Sequence, residues 1–429
     1  MRDSRHAVLV AAVLVHLVFV LSLVTGFLNP LFFEAVQAGQ GGDFYGIYQA
    51  GVNVREGRSI YARLDRGDDF TLSVPYYYFY RYAPPTAFAF APATALVGPV
   101  SAYWLWAALN EILLLALAAW VLRLRDGDAV RRSIAAALWL VFTPFYLEQY
   151  MGQFSFLMAA LIAALVFTRF ERMREPLPLG RMAAWVASIA LKSYTALFAI
   201  PLFVRGRRKS VAIAAAASAA LVLPYFAFRP QDLQYFLAVN LSPFQQGQFF
   251  GSLGFHTLLR QISQVALGDL ALVKFSFGFA DLALANVPVI VVTLAIAAFS
   301  VWMTLRSKAP LEELLAFWVL VFFLVFKEVW EYHYVMLLPV LTLLYLRSGS
   351  WWVLAVWIVL ALPTPYALYA SSYRPHVGWE LPAGFVHYGS KSVPAVVLYA
   401  WLVRRLLGAE RFAATIPASA RARVAGFVQ

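Results

Sequence analysis

Apolar stretches of about 20 residues recur along this chain, and a helix needs that length to cross the hydrocarbon core of a bilayer. Of the 429 residues, 62% are hydrophobic and only 13% are charged, which is more apolar surface than a soluble protein buries. The sequence therefore predicts an all-α polytopic membrane protein with about 10–12 transmembrane helices. The candidate spans are 7–28, 98–122, 133–149, 153–169, 209–228, 283–305, 311–326, 331–347, 350–369 and 391–407.

The charged residues are distributed among short loops rather than gathered in a basic domain. A net charge of +12 would suggest nucleic-acid binding in a soluble protein, but basic residues between apolar runs instead orient helices in the bilayer. We therefore expect membrane lipids as partners and no nucleic acid. The chain has no cysteine, which excludes disulfides, thiolate catalysis and cysteine-ligated metals.

Loop charge also predicts the direction of each helix, since basic loops remain in the cytoplasm. Arg2 and Arg5 place the N-terminus inside, and the basic cluster at 205–209 is also inside only if 182–204 does not cross. A broken, re-entrant helix with its turn near Lys192 satisfies this condition. The alternative is one ordinary span over 182–204 and a topology that departs from the charge rule.

With the re-entrant helix, both termini are cytoplasmic and two long loops, 29–97 and 229–282, are extracytoplasmic. Both loops mix polar residues with many aromatic ones, which is typical of helices lying in the membrane interface. The apolar segment 84–97 is expected to form a short helix or a re-entrant piece rather than a span. We expect a single transmembrane catalytic domain over 1–407 and a basic cytoplasmic tail over 408–429.

Asp43 is a lone acid that follows two glycines and precedes two aromatic residues, shortly after the first span. Glycines allow the backbone to approach a ligand closely, and a carboxylate there can take a proton from an attacking hydroxyl group. The alternative is a structural role, because aspartate often caps a helix and the segment 44–55 is predicted to be helical. The sequence leaves both roles open.

Two further ionisable residues, Lys192 and His333, lie within or beside apolar stretches, where a charge is costly enough to indicate function. Lys192 can bind a phosphate as a point charge, and His333 can hydrogen-bond a phosphate or position an acceptor. The alternatives are a lysine that extends to the membrane interface and a histidine in an interfacial aromatic belt. The predicted topology places both residues on the same side as Asp43.

Motifs for other kinds of site are missing from the sequence. There is no phosphate-binding glycine loop and no dinucleotide-binding fingerprint, so nothing indicates nucleotide binding. The histidines and acids do not show metal-ligand spacing. We therefore expect neither a cofactor nor a bound metal.

Several short motifs, taken together, resemble the GT-C membrane glycosyltransferases, most closely glycosyltransferase family 87. That family includes polyprenol-phosphate-mannose-dependent α-mannosyltransferases. The motifs, whose order and spacing carry the resemblance, are Gly42-Asp43-Phe44-Tyr45, Gly57-Arg58-Ser59-Ile60-Tyr61, Tyr82-Ala83-Pro84-Pro85, Gly152-Gln153-Phe154-Ser155, Leu191-Lys192-Ser193-Tyr194 and Trp330-Glu331-Tyr332-His333.

The resemblance implies a GT-C-like bundle with an extracytoplasmic site for a polyprenyl-phosphate sugar donor and a lipid-linked or glycan acceptor. It implies Asp43 as the general base and places the family's lysine element on Lys192, although Thr195 stands where a proline is common. The family's late histidine falls on His333, and we expect the lysine and the histidine at the donor phosphate. The motif residues expected to line the substrate are Tyr45, Tyr82, Gln153, Tyr194 and Glu331.

We therefore expect a membrane enzyme that transfers a sugar, mannose by resemblance, with an inverting mechanism. The competing hypothesis is a lipid or solute transporter or flippase, a class that also keeps charges at depth and uses broken helices. Transporters often contain inverted repeats and bind near the midplane. No such repeat is evident in this sequence, and its candidate residues are predicted toward one face.

Overall fold

The computed structural model describes residues 2–170, 175–241, 250–276, 281–374 and 378–415. These residues are predominantly helical with very little sheet, so the prediction of an all-α polytopic membrane protein is confirmed. Residues 416–429 of the predicted basic tail lie outside the described residues. The beginning of that tail continues the last helix as far as Thr415.

The α-helices follow one another closely and are numbered here in chain order. They are α1 (Arg2–Thr25), α2 (Phe33–Gln37), α3 (Gly42–Arg55), α4 (Pro84–Phe90), α5 (Ala93–Leu96), α6 (Pro99–Arg123), α7 (Ala129–Leu140), α8 (Thr143–Met151), α9 (Ser155–Val166), α10 (Leu179–Leu191), α11 (Ala199–Val204), α12 (Arg208–Phe228), α13 (Pro230–Leu241), α14 (Phe255–Leu267), α15 (Asn286–Arg306), α16 (Leu311–Val325), α17 (Leu338–Ser348), α18 (Trp351–Ala361), α19 (Tyr366–Tyr369) and α20 (Ala383–Thr415).

Short 3₁₀ helices and two antiparallel strand pairs complete the described structure. The 3₁₀ helices are Asn29–Leu31, Leu64–Arg66, Ser193–Phe198, Gly268–Leu272, Glu331–Leu337 and Ala370–Ser372. In the first strand pair, β1 (Lys274–Ser276) lies beside β2 (Asp281–Ala283). In the second, β3 (Tyr373–Arg374) lies beside β4 (Gly378–Trp379).

Within the described residues, four helices are long and apolar enough to cross a membrane: His6–Thr25 of α1, then α6, α12 and α15. A fifth candidate is the pair Trp351–Ala361 and Tyr366–Ser372, which is bent by 55°. The apolar helices Ser155–Val166, Leu179–Leu191 and Ser193–Val204 are shorter than a straight span. The count of 10–12 spans therefore stays a prediction.

The helical segment 182–204 is interrupted at Lys192, near its middle, as the sequence predicts. Lys192 is extended, with φ −144° and ψ 115°, between α10 and the 3₁₀ helix that follows. Ser188 and Thr195 join their hydroxyls at 2.6 Å across the break, and the indole N–H of Trp185 donates to the Thr195 carbonyl at 2.9 Å. Side-chain hydrogen bonds thus hold the turn at the position where a proline was expected. That the turn re-enters the membrane stays a prediction.

The core of the bundle is formed by α16 and by the two helical segments that follow it in the chain, Glu331–Leu337 and α17. Every residue of α16 from Leu311 to Leu324 is buried, and so are the 3₁₀ helix Glu331–Leu337 and most of α17. A helix that is apolar all round belongs inside a bundle, whereas α1, α6, α12 and α15 expose large apolar side chains as lipid-facing helices do. The turn between α16 and α17, which carries His333, is therefore firmly anchored.

The two long loops carry helices, as predicted. The first contains α2 to α5, and its segment 84–97 forms the short helices α4 and α5, which confirms the short-helix prediction. The second contains α13 and α14. The position of these helices in the membrane interface stays a prediction.

Candidate active site

Asp43 lies in the first turn of α3, and the predicted helix over 44–55 is confirmed there. Gly41, not Asp43, is the N-cap residue, and it has a φ of +78° that favours glycine. The Gly41 N–H donates to the carbonyl of Tyr150 at 2.7 Å, which attaches the start of α3 to the end of α8. The capping alternative for Asp43 is therefore wrong, and its carboxyl group lines a cavity instead.

This cavity has a volume of about 480 Å³ and lies between the first long loop, the Lys192 break and the turn before α17. This volume lies within the usual range for a small-molecule binding site. The predicted site residues that line it are Asp43, Tyr82, Gln153, Lys192, Tyr194 and His333.

Lys192 is buried, and its ammonium group points into the protein. Its Nζ donates to Gln153 Oε1 at 2.9 Å and to Ser155 Oγ at 2.8 Å, and lies 3.3 Å from His333 Nε2. A lysine that extended to the interface would instead have its charge in water. That alternative is therefore wrong, because the charge is held at the cavity wall. The aromatic rings that lie about 6 Å from Nζ belong to Tyr82, Tyr194 and Tyr332.

The hydrogen bonds of His333 determine which ring nitrogen carries its proton. Nδ1 accepts the backbone N–H of Trp330 at 3.1 Å, so a neutral His333 has its hydrogen on Nε2. That Nε2–H and the Lys192 ammonium are then both donors, and their nitrogens lie 3.3 Å apart at the cavity wall. An anionic oxygen would satisfy both groups. His333 is only 4% exposed, so the interfacial alternative is wrong for it as well.

Gln153 connects the lysine to two tyrosines of the cavity wall. Its Oε1 also accepts the Tyr82 hydroxyl at 2.7 Å, and its Nε2 donates to the Tyr332 hydroxyl at 3.3 Å. The indole of Trp106 donates to the Gln153 carbonyl at 3.1 Å and so fixes the turn before α9. The amide side chain therefore positions the lysine charge.

Two sets of influences shift the pKa of Asp43 in opposite directions. Burial raises the pKa of its carboxyl group above the usual value. Hydrogen bonds from Gln153 and Tyr332, with the charges of Lys192 and Arg81, lower that pKa and offset part of the effect. The carboxylate is thus more basic than an exposed aspartate, which suits a proton acceptor.

Two predicted site residues do not line this cavity. Tyr45 packs edge-on against Tyr76 with ring centres 5.2 Å apart. Glu331 is fully buried beneath the cavity, where Lys391 Nζ lies 3.3 Å from Oε1 and the Thr364 hydroxyl donates to Oε2 at 3.0 Å. Its neighbour Tyr332 takes the wall position instead.

The structure also adds residues that the sequence reasoning missed. Glu34, Arg81, Trp330 and Tyr332 all line the cavity. Trp330 and Tyr332 belong to the same motif as the predicted site residues Glu331 and His333, and neighbouring residues of a 3₁₀ helix point in different directions. The signal for Glu34 was an acid directly after two phenylalanines, close to the first span. Among the described residues, no group of three or more histidines and acids is placed to hold a metal ion.

Comparison with protein families identifies the family of this chain. The family model described as glycosyltransferase family 87 matches residues 79–327, which is more than half of the chain. Tyr82, Gln153 and Lys192 fall inside the matched segment, Asp43 precedes it and His333 follows it. No curated protein and no solved structure matches the chain.

Proposed function

Because the chain belongs to glycosyltransferase family 87, a family of membrane glycosyltransferases, we propose that it transfers mannose from a polyprenyl-phosphate donor. The acceptor is a hydroxyl group of a lipid-linked or glycan molecule, and the anomeric configuration inverts. One observation carries the proposal: two hydrogen-bond donors, Lys192 and His333, share a cavity with the carboxyl group of Asp43.

In this mechanism, the Asp43 carboxylate accepts the proton of the acceptor hydroxyl group. The acceptor oxygen forms a bond to the anomeric carbon while the bond from that carbon to the donor phosphate oxygen breaks. The polyprenyl phosphate leaves with both electrons of that bond. Lys192 and the Nε2–H of His333 offset the negative charge that develops on it. No step requires a further reactant.

The architecture supports an extracytoplasmic position for this reaction. The cavity reaches Phe326, just past the C-terminal end of α16, whereas Glu312 and Glu313 at its other end pair with Arg347 and Arg405 at 3.1 and 2.9 Å. Fourteen residues of helix separate the two ends by about 21 Å. Because loops rich in arginine are biased toward the cytoplasm, the arginines at the Glu312 end of α16 support a cavity on the opposite face. The polyprenyl chain would lie against the apolar faces of the outer helices.

The proposal is tested with purified protein and a small panel of radiolabelled polyprenyl-phosphate sugars in lipid nanodiscs. We expect label to move from the mannose donor to a lipid or glycan acceptor, and the product to have the inverted anomeric configuration. Label that stays on every donor would contradict transfer. Movement of unmodified lipid across proteoliposomes would favour the transporter hypothesis instead.

A further inference from the structure

Glu34, in α2, is a buried acid that the transfer mechanism does not use. Its side chain lines the cavity, yet the residue is only 3% exposed. Oε1 accepts the backbone N–H of Glu331 at 3.5 Å, a long hydrogen bond, and Oε2 is buried without a partner in the part of the chain that the structure describes. Buried polar atoms normally have a hydrogen-bond partner, so a bound ligand is expected to supply one for this oxygen.

The lysine whose charge acts on Glu34, Lys391, does not supply that partner. Lys391 Nζ lies 3.3 Å from Glu331 and donates to the carbonyls of Leu360 and Leu362, which uses its three hydrogens. Glu34 and Glu331 therefore lie near a single lysine, and that lysine forms its ion pair with Glu331. Burial and the nearby Glu331 carboxylate raise the pKa of Glu34 well above its usual value, which favours the protonated carboxyl group.

We propose that Glu34 is a sugar-binding residue whose carboxyl group hydrogen-bonds a hydroxyl of the transferred sugar or of the sugar acceptor. This inference rests on the proposed function. A protonated carboxyl group has one donor and one acceptor, and a sugar hydroxyl offers the same pair. The aromatic residues Phe33 and Trp330 line the same cavity as Glu34. Apolar faces around a few fixed polar groups are the usual composition of a ligand pocket.

The test compares Glu34→Met, which removes both hydrogen-bonding groups, with Glu34→Gln, which keeps a donor and an acceptor. Dissociation constants for the polyprenyl-phosphate mannose donor and for the acceptor are measured separately in an Asp43→Asn background, where turnover does not interfere. The matched control is Glu312→Met, since Glu312 is a buried acid at the far end of α16. Melting temperatures are recorded for every variant.

We expect Glu34→Met to weaken binding of one of the two ligands about three- to tenfold, the loss of one neutral hydrogen bond. Glu34→Gln should stay within about twofold of the parent, and Glu312→Met should lower only the melting temperature. The ligand affected identifies whether the hydroxyl belongs to donor or acceptor. If Glu34→Met does not fold, Glu34→Asp, which withdraws the carboxyl group by one methylene, should give the same weakening.

Unchanged constants for both ligands in Glu34→Met would overturn the inference, and so would equal losses in the glutamine and methionine variants. Failure of the proposed function has a different signature. In that case the wild-type protein yields no product from any donor in the panel, while the binding constants still decide the role of Glu34.

Discussion

Nζ of Lys192 lies 3.3 Å from Nε2 of His333, although the two residues are 141 positions apart in the chain. Neither group offers the other an acceptor while the lysine is charged, because the Nε2 of the neutral histidine carries its hydrogen. Two donors held this close by the fold can both donate to one anionic oxygen that lies beside them in the cavity. This relationship supports our proposal that the ligand of the pair is a phosphate.

Replacing Asp43 by asparagine should reduce transfer about 10²- to 10⁴-fold, the usual contribution of a general base. The amide keeps the size of the side chain but accepts no proton, so folding and donor binding should persist. Initial rates, donor affinity and melting temperature measure this. Asp65→Asn, in the same loop but with a side chain that is 59% exposed, is the control and should behave as wild type. Near-wild-type turnover in Asp43→Asn would remove Asp43 from the mechanism.

The pH dependence of transfer should reflect the raised pKa of Asp43. The carboxyl group acts only when ionised, so activity falls as the pH drops through its pKa. Because that pKa is raised, the fall should begin above the value of about 3.9 for a free aspartate. Lys192→Met removes a positive charge that lowers the pKa, so the acid limb of kcat/KM should move further up. An acid limb that moves down in this variant would disprove the assignment.

Lys192 and His333 should act as a unit on the donor phosphate. We expect Lys192→Met and His333→Phe each to weaken donor binding and slow transfer. The double variant should lose less binding free energy than the two single variants together. The coupling free energy should be about 0.5–3 kcal/mol, as for residues in contact. A double-mutant cycle on the donor dissociation constant measures this. The same cycle with Lys274→Met, on the exposed strand β1, should be additive. Additive losses for the Lys192 and His333 pair would show that they bind separate groups.

Gln153→Leu should raise KM for the donor and lower kcat together, because it releases the lysine from Oε1 and leaves the Tyr82 hydroxyl unpaired. Tyr82→Phe removes only one of these hydrogen bonds, so its loss of transition-state stabilisation, measured from kcat/KM, should be about 0.5–1.5 kcal/mol. Steady-state kinetics on both variants measure the difference. Tyr235→Phe is the control, since its hydroxyl bonds Arg63 rather than this network. A larger effect of Tyr82→Phe than of Gln153→Leu would contradict the positioning role.

Glu331 and Lys391 should matter first for stability, since their ion pair is almost completely buried. Removing either partner leaves an unpaired buried charge, which costs about 3–5 kcal/mol. Glu331→Leu and Lys391→Leu should each lower the melting temperature strongly, whereas the double variant should recover much of the loss. Thermal unfolding of all three proteins in the same detergent measures this. Additive destabilisation in the double variant would contradict the pairing.

Much of the helix pattern was predictable because hydrophobicity and length are local properties. Helices α6, α12 and α15 lie within a few residues of the candidate spans, and loop charge alone located the break at Lys192. Candidate span 133–149 instead contains a helix end at Leu140 and a new start at Thr143, next to Pro144. That proline lies at the start of α8, so the boundary had a local signal, but an uninterrupted apolar run concealed it.

The choice among neighbouring polar residues was not predictable in the same way. Glu331 and Tyr332 follow each other in one motif, yet the first points to Lys391 below the cavity and the second to the cavity itself. Glu34 lines the cavity because α2 lies beside that turn, where Oε1 accepts the backbone N–H of Glu331. Which side of a short 3₁₀ helix faces a cavity depends on the packing of distant segments, and no local pattern records it.

The sequence by itself therefore determined that this is a helical membrane protein and which ionisable residues are too costly to be incidental. It did so because the bilayer penalises charge and rewards apolar length at each position separately. Only the tertiary structure decided that Asp43, Lys192 and His333 share one cavity. It also decided that Tyr332 and Glu34, rather than Glu331, line that cavity. Those relationships arise from contacts between segments far apart in the chain, where side-chain direction and burial are set jointly.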